Sequence, residues 1–503
     1  MKTAIVLACA ILAMVPGERR ADAAWASTTT ATWPRGEVPI CYTARLAAEP
    51  GFSSWLAVTR EALANTWEQT ANVRFTGWAE CTWSEPAAHV IIDYRTCGFQ
   101  SDTGYTGGAR SFYVDFNNSD PFKDPRYPAL GTVCGSSDNS TPQRWAYFAV
   151  HELAHALGLN HEQDRPDRVT VTPRCPGSDI GVTPNYLGTP YDINSVMNYC
   201  NAAGNVGSDD PVVGWKYAIT AWDKIGMQNL YGRKPPGSIV GLHAGCVAAD
   251  STGLMAGLHS KACTGTQLDS WSRSYAPGNA TFNTWFWGSP YAAMCVDVPN
   301  AQLNWWGTAL WSYACNNSVA QQFTLDTVQW KALGDMCVVA SSAAIGANLQ
   351  LQRCGSSGDR EWWSFENTGG GRGLRIRLAN TNLCANDPYA SITSGTAIDL
   401  QACGTGTSAP NEIVTVTAPG EITFRGMCFA VAGHTPSAGN VIQIEACNGS
   451  RPVDAERFHV TGPIHGMGGT CLDRDYYGAI SLFSCGGYAT QTWDYYFTGW
   501  SFY

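Results

Sequence analysis

The sequence is poor in charge. Of 503 residues only 14% are Asp, Glu, Lys or Arg, where about 25% is usual for a soluble chain. No basic block occurs anywhere and the formal charge is −10, which argues against a nucleic-acid partner. Long apolar runs are missing too, and no segment reaches the roughly 18 residues needed to cross a bilayer. Histidine is scarce, with nine in the whole chain. Low charge does not imply disorder here, because 45% of residues are hydrophobic and 12% aromatic, spread throughout.

What is abundant is cysteine, 19 residues, and tryptophan, 20. Cysteine at this number requires an oxidising compartment if most of it is paired. The N-terminus agrees. Lys2 precedes the apolar run Ala4 to Val15, and Ala21-Asp22-Ala23 offers a small-x-small cleavage site. Residues 1–23 therefore read as a secretory signal, and the protein is expected to be secreted and extracellular. Cleavage after Ala23 would remove Cys9 and leave eighteen cysteines, an even number.

Those eighteen divide the chain. Cys41, Cys81, Cys97, Cys134, Cys175 and Cys200 are irregularly spaced, and six cysteines allow 15 pairings. The other twelve fall into successive pairs: Cys246 with Cys263, Cys295 with Cys315, Cys337 with Cys354, Cys384 with Cys403, Cys428 with Cys447 and Cys471 with Cys485. First members recur every 42 to 49 residues, which is an internal repeat. Gly232 to Ser238 (GRKPPGS) reads as a linker before it, and Gly369-Gly370-Gly371 punctuates its middle. The expected division is a front domain over 33–232 and two three-repeat units over 238–368 and 372–503.

In the front domain, Ser54 to Gln69 sets Trp55, Val58, Leu63 and Trp67 at helical spacing. Val73 to Phe75, His89 to Tyr94 and Ser111 to Phe116 look like strands, and Arg144 to Leu159 is a second apolar-faced helix. Strands between helices imply an α/β or α+β layer. The second helix carries HELAHALGLNH, residues 151–161. His151 and His155, four apart, share a helix face and can reach one ion. Gly158 permits a left-handed exit that brings back His161, and Glu152 stands one step round. Three imidazoles with an open position are the layout of one catalytic Zn2+. An amphipathic helix with incidental histidines is the bland alternative, but three of the nine histidines lie in these eleven residues.

This segment resembles the extended zinc motif of the metzincin metallopeptidases. The following Glu162-Gln163-Asp164-Arg165-Pro166-Asp167-Arg168 is similar to the astacin family. Tyr191 to Tyr199 (YDINSVMNY) resembles its Met-turn, and Asp223 to Tyr231 its closing helix. The resemblance implies an α+β metzincin-like fold in which His151, His155 and His161 bind zinc and Glu152 is general base, then acid. It implies Met197 as the apolar floor, Tyr199 as donor to the tetrahedral oxyanion, and Glu162 as a supporting residue linked to the mature N-terminus. Asn198 stands where the family usually has histidine, and the family's aspartate-bearing propeptide is absent between Ala23 and Trp33.

In the rear half an aromatic follows the second cysteine by eight residues in four repeats (Trp271, Phe323, Trp362, Trp493), with Ile413 and Phe458 slightly later. Each unit is too small for its own core, so it is expected to place that residue in a shared centre and close a loop with its own disulfide. Six copies in two threes resemble two all-β, ricin-B-type β-trefoil lectin modules; a six-bladed propeller explains the pairs less well. The resemblance implies sugar sites at Asp297/Tyr313/Gln321 and Asp473/Phe483/Gln491, where carboxylate and amide meet hydroxyls and a ring packs on the sugar face. The remaining four repeats lack the aspartate. The leading expectation is a secreted zinc endopeptidase acting on proteins or peptides, with lectin modules that bind glycans or glycoproteins. The rival is a lectin or adhesin whose front domain only holds a metal.

Overall fold

The computed structural model describes residues 25–27, 32–114, 142–168, 184–186, 189–198 and 219–497. Within these, residues 83, 95–99, 166–167, 277–278, 285–293, 305–306, 317, 369–372, 405–409, 418–419 and 448–453 are excepted. Cys97, Cys134, Cys175, Tyr199, Cys200 and the proposed signal lie outside the described residues. No helix among those described is long and apolar enough to cross a membrane.

The front domain is a sheet backed by helices. Strands β1 (Glu37–Tyr42), β2 (Arg74–Glu80), β3 (Val90–Tyr94), β4 (Gln100–Ser101) and β5 (Arg110–Val114) lie in the order β2-β1-β3-β5-β4. All neighbours are parallel except β4, an antiparallel edge strand. Val90 and Ile92 of β3 are fully buried, as a near-continuous apolar central strand requires. Cys41 and Cys81 form a disulfide.

Helix α1 (Phe52–Ala64) buries Phe52, Trp55, Thr59, Ala62 and Leu63 on one face. It stops five residues before the expected Gln69. The Thr66 hydroxyl donates to the Ala62 carbonyl at 2.7 Å, and a separate turn, Trp67–Thr70, follows. That break swings Trp67 inward, where its indole N–H donates to the Val150 carbonyl at 2.8 Å. Val150 belongs to α2 (Pro142–Ala156), which opens on proline, a residue suited to a first helical turn. Trp33 donates to Ala156 at 2.7 Å, so two buried indoles grip α2. A third helix, α3 (Ala221–Tyr231), opens with a capping box between Thr220 and Asp223.

The rear half consists of two β-trefoils, but the repeats are grouped differently from expectation. In the first trefoil, repeat 1 meets repeat 2 through Leu258 N–H to Leu310 O (3.1 Å), and repeat 2 meets repeat 6 through Leu310 N–H to Ile480 O (2.8 Å). In the second, Leu349 N–H donates to Ile398 O (3.0 Å) and Ile398 N–H to Ile442 O (2.8 Å), joining repeats 3, 4 and 5. Closure follows the same rule. Strand β6 (Ile239–Val240), opening repeat 1, pairs with β9 (Trp493–Tyr496), closing repeat 6. Strand β7 (Val328–Lys331), opening repeat 3, pairs with β8 (His459–Gly462), closing repeat 5. One trefoil is thus discontinuous, and repeats 3–5 are inserted between its second and third repeats.

The expected boundary at the triple glycine is therefore corrected. Asn367 pairs with Leu374 across it in a hairpin, so those glycines interrupt a trefoil rather than separate two. The insertion is feasible because the inserted unit's ends, β7 and β8, lie side by side. The supposed linker is packed as well: Ser238 is buried, and Gly237 N–H donates to Tyr496 O at 2.6 Å.

All six expected intra-repeat disulfides are present. Cys246 bonds to Cys263, Cys295 to Cys315 and Cys337 to Cys354. Cys384 bonds to Cys403, Cys428 to Cys447 and Cys471 to Cys485. The two halves of each bridge differ in environment. Cys246, Cys295, Cys337, Cys384, Cys428 and Cys471 are buried on strands. Their partners lie at the surface rather than in the shared centre: Cys315 and Cys485 are exposed, and Cys263, Cys354, Cys403 and Cys447 are half-buried. Each bridge thus ties an outer loop to a core strand.

Two core positions shift by one residue. Trp363 rather than Trp362, and Val414 rather than Ile413, face the core, because a one-residue slip in a strand reverses its faces. The indoles of Trp271, Trp363 and Trp493 donate to Val247, Val338 and Leu472 carbonyls at 2.7, 2.7 and 2.9 Å. Two residues before the core side chain stands a buried acid or amide. Glu361, Glu412 and Gln491 accept the N–H of the residue after the second cysteine at 2.9, 2.9 and 2.8 Å.

Front and rear meet at a partly buried polar junction. Lys224 of α3 lies 3.2 Å from Asp335 of repeat 3, and Gln69 donates to Asp494 at 2.5 Å. Burial would raise the Asp335 carboxyl, yet Lys224, His459, Lys331 and Arg233 hold it well below the usual carboxylate range. A depressed folded pKa contributes stability above the unfolded value of about 4, lost as pH falls below it. Asp335→Asn should therefore lower the unfolding midpoint at pH 7, with the difference from wild type shrinking steadily below about pH 4. The grouping of repeats predicts a second result. Deleting 328–461 should leave a cooperatively unfolding trefoil, whereas ending the chain at residue 371 should abolish it, as read by far-UV circular dichroism on heating.

Candidate metal centre and glycan sites

His151, His155 and His161 each present a ring nitrogen, and the three nitrogens lie within 4.8 Å of one another. Helix α2 supplies the first two at one-turn spacing, so they point to the same side. Gly158, with φ of 110°, occupies the left-handed region that turns the chain back toward His161. His151 Nδ1 is 2.8 Å from the Val196 carbonyl, and His155 Nδ1 is 2.7 Å from that of Leu159. A carbonyl only accepts, so both Nδ1 atoms carry protons and both Nε2 atoms offer lone pairs. His155 Nε2 then faces His161 Nε2 at 2.9 Å, while His161 Nδ1 lies 3.6 Å from Asp164. Imidazole nitrogens converging this closely suit a borderline divalent cation such as zinc.

Electrostatics point the same way. Burial, with His161 nearby, pulls His151 down to about 3, and burial with His151 holds His155 well below its usual value, so both are neutral ligands at pH 7. Glu152 is 5% exposed. Its burial pushes the carboxyl up to about 8, opposed by the backbone N–H of Ser101, on edge strand β4. A dication beside it would lower that value.

A polar scaffold only partly named from the sequence holds these histidines. Asp223, in the first turn of α3, accepts the Ser195 hydroxyl at 2.5 Å and the Val196 N–H at 3.0 Å. Val196 is the residue whose carbonyl orients His151. Met197 is buried, and its carbonyl accepts the Glu162 N–H at 3.0 Å. Glu162, 1% exposed, accepts the Asp192 N–H at 2.9 Å and lies 3.3 Å from the fully buried Arg165. Asn198 donates to the Tyr191 hydroxyl at 3.1 Å, so its amide braces the Met-turn from within. The signal for Asp223 was present in sequence as a T-x-x-D cap, but its tertiary partner was not.

The candidate glycan residues also assemble. Asp297 accepts from Gln321 at 2.8 Å and from the Trp311 indole at 2.6 Å, and Trp311 stacks on Tyr313 with centroids 5.9 Å apart. Both Asp297 oxygens are thereby engaged, and the residue is 5% exposed. Asp473 accepts from Gln491 at 2.8 Å and from the Arg474 N–H at 2.7 Å, and it is half-buried, as is Phe483. Sequence order placed these two sets in different modules. Repeats 2 and 6 are neighbours in one trefoil, linked by pairing of Thr308 with Leu482. Repeat 4 holds a rearranged cluster missed in sequence, with Asn386, Gln401 and Asn411 bonded around Asp399 and one another at 2.5 to 3.0 Å.

Comparison with known proteins bears on both halves. A family model for the ricin-type beta-trefoil lectin domain matches residues 289–375. Zinc metalloproteinase nas-30 of Caenorhabditis elegans is 29% identical over 162 residues, 30% of this chain and 17% of that protein. High choriolytic enzyme 1 of Oryzias latipes is 29% identical over 126 residues, covering 21% of this chain and 47% of its own length. The front domain is astacin-like and the rear modules are of ricin-B type. The solved structure of that choriolytic enzyme, a hatching-enzyme zinc-protease, covers 41% of this chain and 94% of its own at 20% identity, with a TM-score of 0.26. The matched segments span only about a sixth of the first curated relatives, 17% and 16%.

In the astacin-like domain, Asp223→Ala should strand the buried Ser195 and Val196 donors. The expected cost is about 2–4 kcal/mol of unfolding free energy. Freed from its anchor, the Val196 carbonyl should orient His151 less well, lowering zinc affinity by about 10–100-fold in a competition with a chromophoric chelator.

Proposed function

We propose that the protein is a secreted zinc endopeptidase whose trefoil modules carry it to glycans or glycoproteins. The observation that supports this best is the convergence of the His151, His155 and His161 imidazoles beside the buried Glu152 carboxylate. His151, His155 and His161 would hold one zinc ion, which when bound supplies Lewis acidity to water and to the scissile carbonyl. Glu152 takes the proton from the attacking water and returns it to the departing amine. Edge strand β4 lies beside Glu152, which its Ser101 N–H reaches, and an extended substrate would lie along this edge as an added strand. Tyr199 is assigned as hydrogen-bond donor to the oxyanion on the family resemblance.

The rival reading, a lectin with a merely structural metal, gives Glu152 no task. Glu152→Ala should reduce casein cleavage by at least about 10³-fold while zinc content and unfolding midpoint stay unchanged. Equal cleavage by both proteins, or none by zinc-loaded wild type, would sink the peptidase reading. On the rear half, Asp473→Ala is expected to weaken glycan-array binding more than Asp297→Ala, because Asp473 is half-buried and reachable whereas Asp297 is buried.

A further inference from the structure

A cleft of 610 Å³ lies between the front domain and the discontinuous trefoil, apart from the metal centre and both candidate glycan sites. Its volume falls within the ~300–1,000 Å³ of small-molecule sites. Six Lys or Arg residues line it against three Glu, in a chain whose overall charge is −10. They arrive from separate elements: Arg35, Arg60 and Arg74 from the front domain, Lys234 from the connecting segment, Lys261 from repeat 1 and Arg474 from repeat 6.

Some of this charge is already balanced. Arg35 and Arg74 lie 3.4 and 2.6 Å from Glu37, and Lys261 lies 2.7 Å from Asp250. Three cations are not. Among the described residues Arg60, Lys234 and Arg474 make no side-chain ion pair or hydrogen bond; Arg60 sits over the Trp78 ring at 5.9 Å. Lys234 is 6% exposed, and Arg474 Nε is buried without a partner. A buried ammonium without an acceptor is costly. Burial accordingly pulls Lys234 down to about 8, with Glu68 opposing. The neighbouring His243 is also lowered, by burial first and then by Arg474, with Glu61 opposing and Arg60 adding to the lowering. The cleft has an excess of positive charge that the protein itself does not neutralise.

We propose that this cleft binds an acidic oligosaccharide bearing sulfate or carboxylate groups, clasped between the front domain and the lectin-like trefoil. Unpaired cations on three separate walls match several anionic groups spread over a chain of sugars, whereas a single inorganic oxyanion would engage only part of the set. Trp78 adds an aromatic surface of the kind that sugar rings pack against. Arg474 and Asp473 alternate along one strand, so the cleft and the repeat-6 glycan site use opposite faces.

The test is calorimetric titration of the full chain with a sulfated heparin-derived disaccharide and, separately, with inorganic sulfate. The disaccharide should bind, weaken with added salt as a charge-driven contact does, and lose at least tenfold in affinity in Arg60→Gln/Arg474→Gln with the unfolding midpoint unchanged. Arg60→Gln alone, at an exposed position, should weaken binding severalfold and serves if the double variant is unstable. No binding at low salt, undiminished binding in both variants, or inorganic sulfate binding as tightly as the disaccharide would each overturn the proposal.

Discussion

Strand β8, four residues from His459 to Gly462, is hydrogen-bonded along both edges, and the rest of the molecule is organised around it. On one side it closes the inserted trefoil against β7, and on the other it pairs with β9 of the discontinuous trefoil. Because both of its edges are satisfied, it is a central strand shared by two modules and exposes no edge of its own. Its first residue, His459, is buried against the Tyr496 ring at 4.7 Å and reaches Asp335 at 3.7 Å. Asp335 in turn meets Lys224, next in sequence to the Asp223 that anchors the Met-turn. A contiguous set of contacts therefore runs from the crossing strand to the carbonyl that orients His151.

The scarcity of charge takes on meaning in this arrangement. Charged groups withdrawn from solvent include Asp335, Lys224, Lys331 and Asp494 where modules touch and Glu162, Arg165 and Asp223 behind the histidine cluster, while Asp269, Glu361 and Glu412 are buried inside trefoil repeats. Elsewhere cohesion comes from buried indoles and disulfides. Trp33 and Trp67 donate to carbonyls of α2, and Trp271, Trp363 and Trp493 repeat one bond in three separate repeats. Each of these indoles buries a large apolar surface while satisfying its single donor, within cores otherwise built mostly of aliphatic side chains. The charged cleft beside Lys234 departs from this economy, and the proposed acidic ligand would account for the departure.

Much of the metal centre was legible in the sequence because its geometry is local. His151, Glu152 and His155 are fixed by helical spacing and His161 by one glycine. Met197 and Glu162 were named through resemblance, but the bonds from Asp192 to Glu162 and from Ser195 to Asp223 join residues 30 and 28 positions apart, and spacing says nothing about which of them meet. The repeat disulfides were readable for the same reason as the histidines, being local pairs 14 to 20 residues apart. Register was less so. Trp362 and Trp363 are adjacent and alike, and only the pairing of their strand decides which one faces inward.

The sequence alone determined the number of repeats, their internal bridges, the histidine-bearing helix and the front-to-rear order of modules, since each depends on residues close together along the chain. It did not determine which repeats share a core. Six similar units carry interchangeable hairpins, so a trefoil can close with any three whose ends meet, and a run of glycines after the third repeat suggested the wrong three. Tertiary structure settled it through strand pairing: β8 lies beside β7, returning the chain to where it left, and that brings both aspartate-bearing repeats into one trefoil and sets repeat 6 against the front domain.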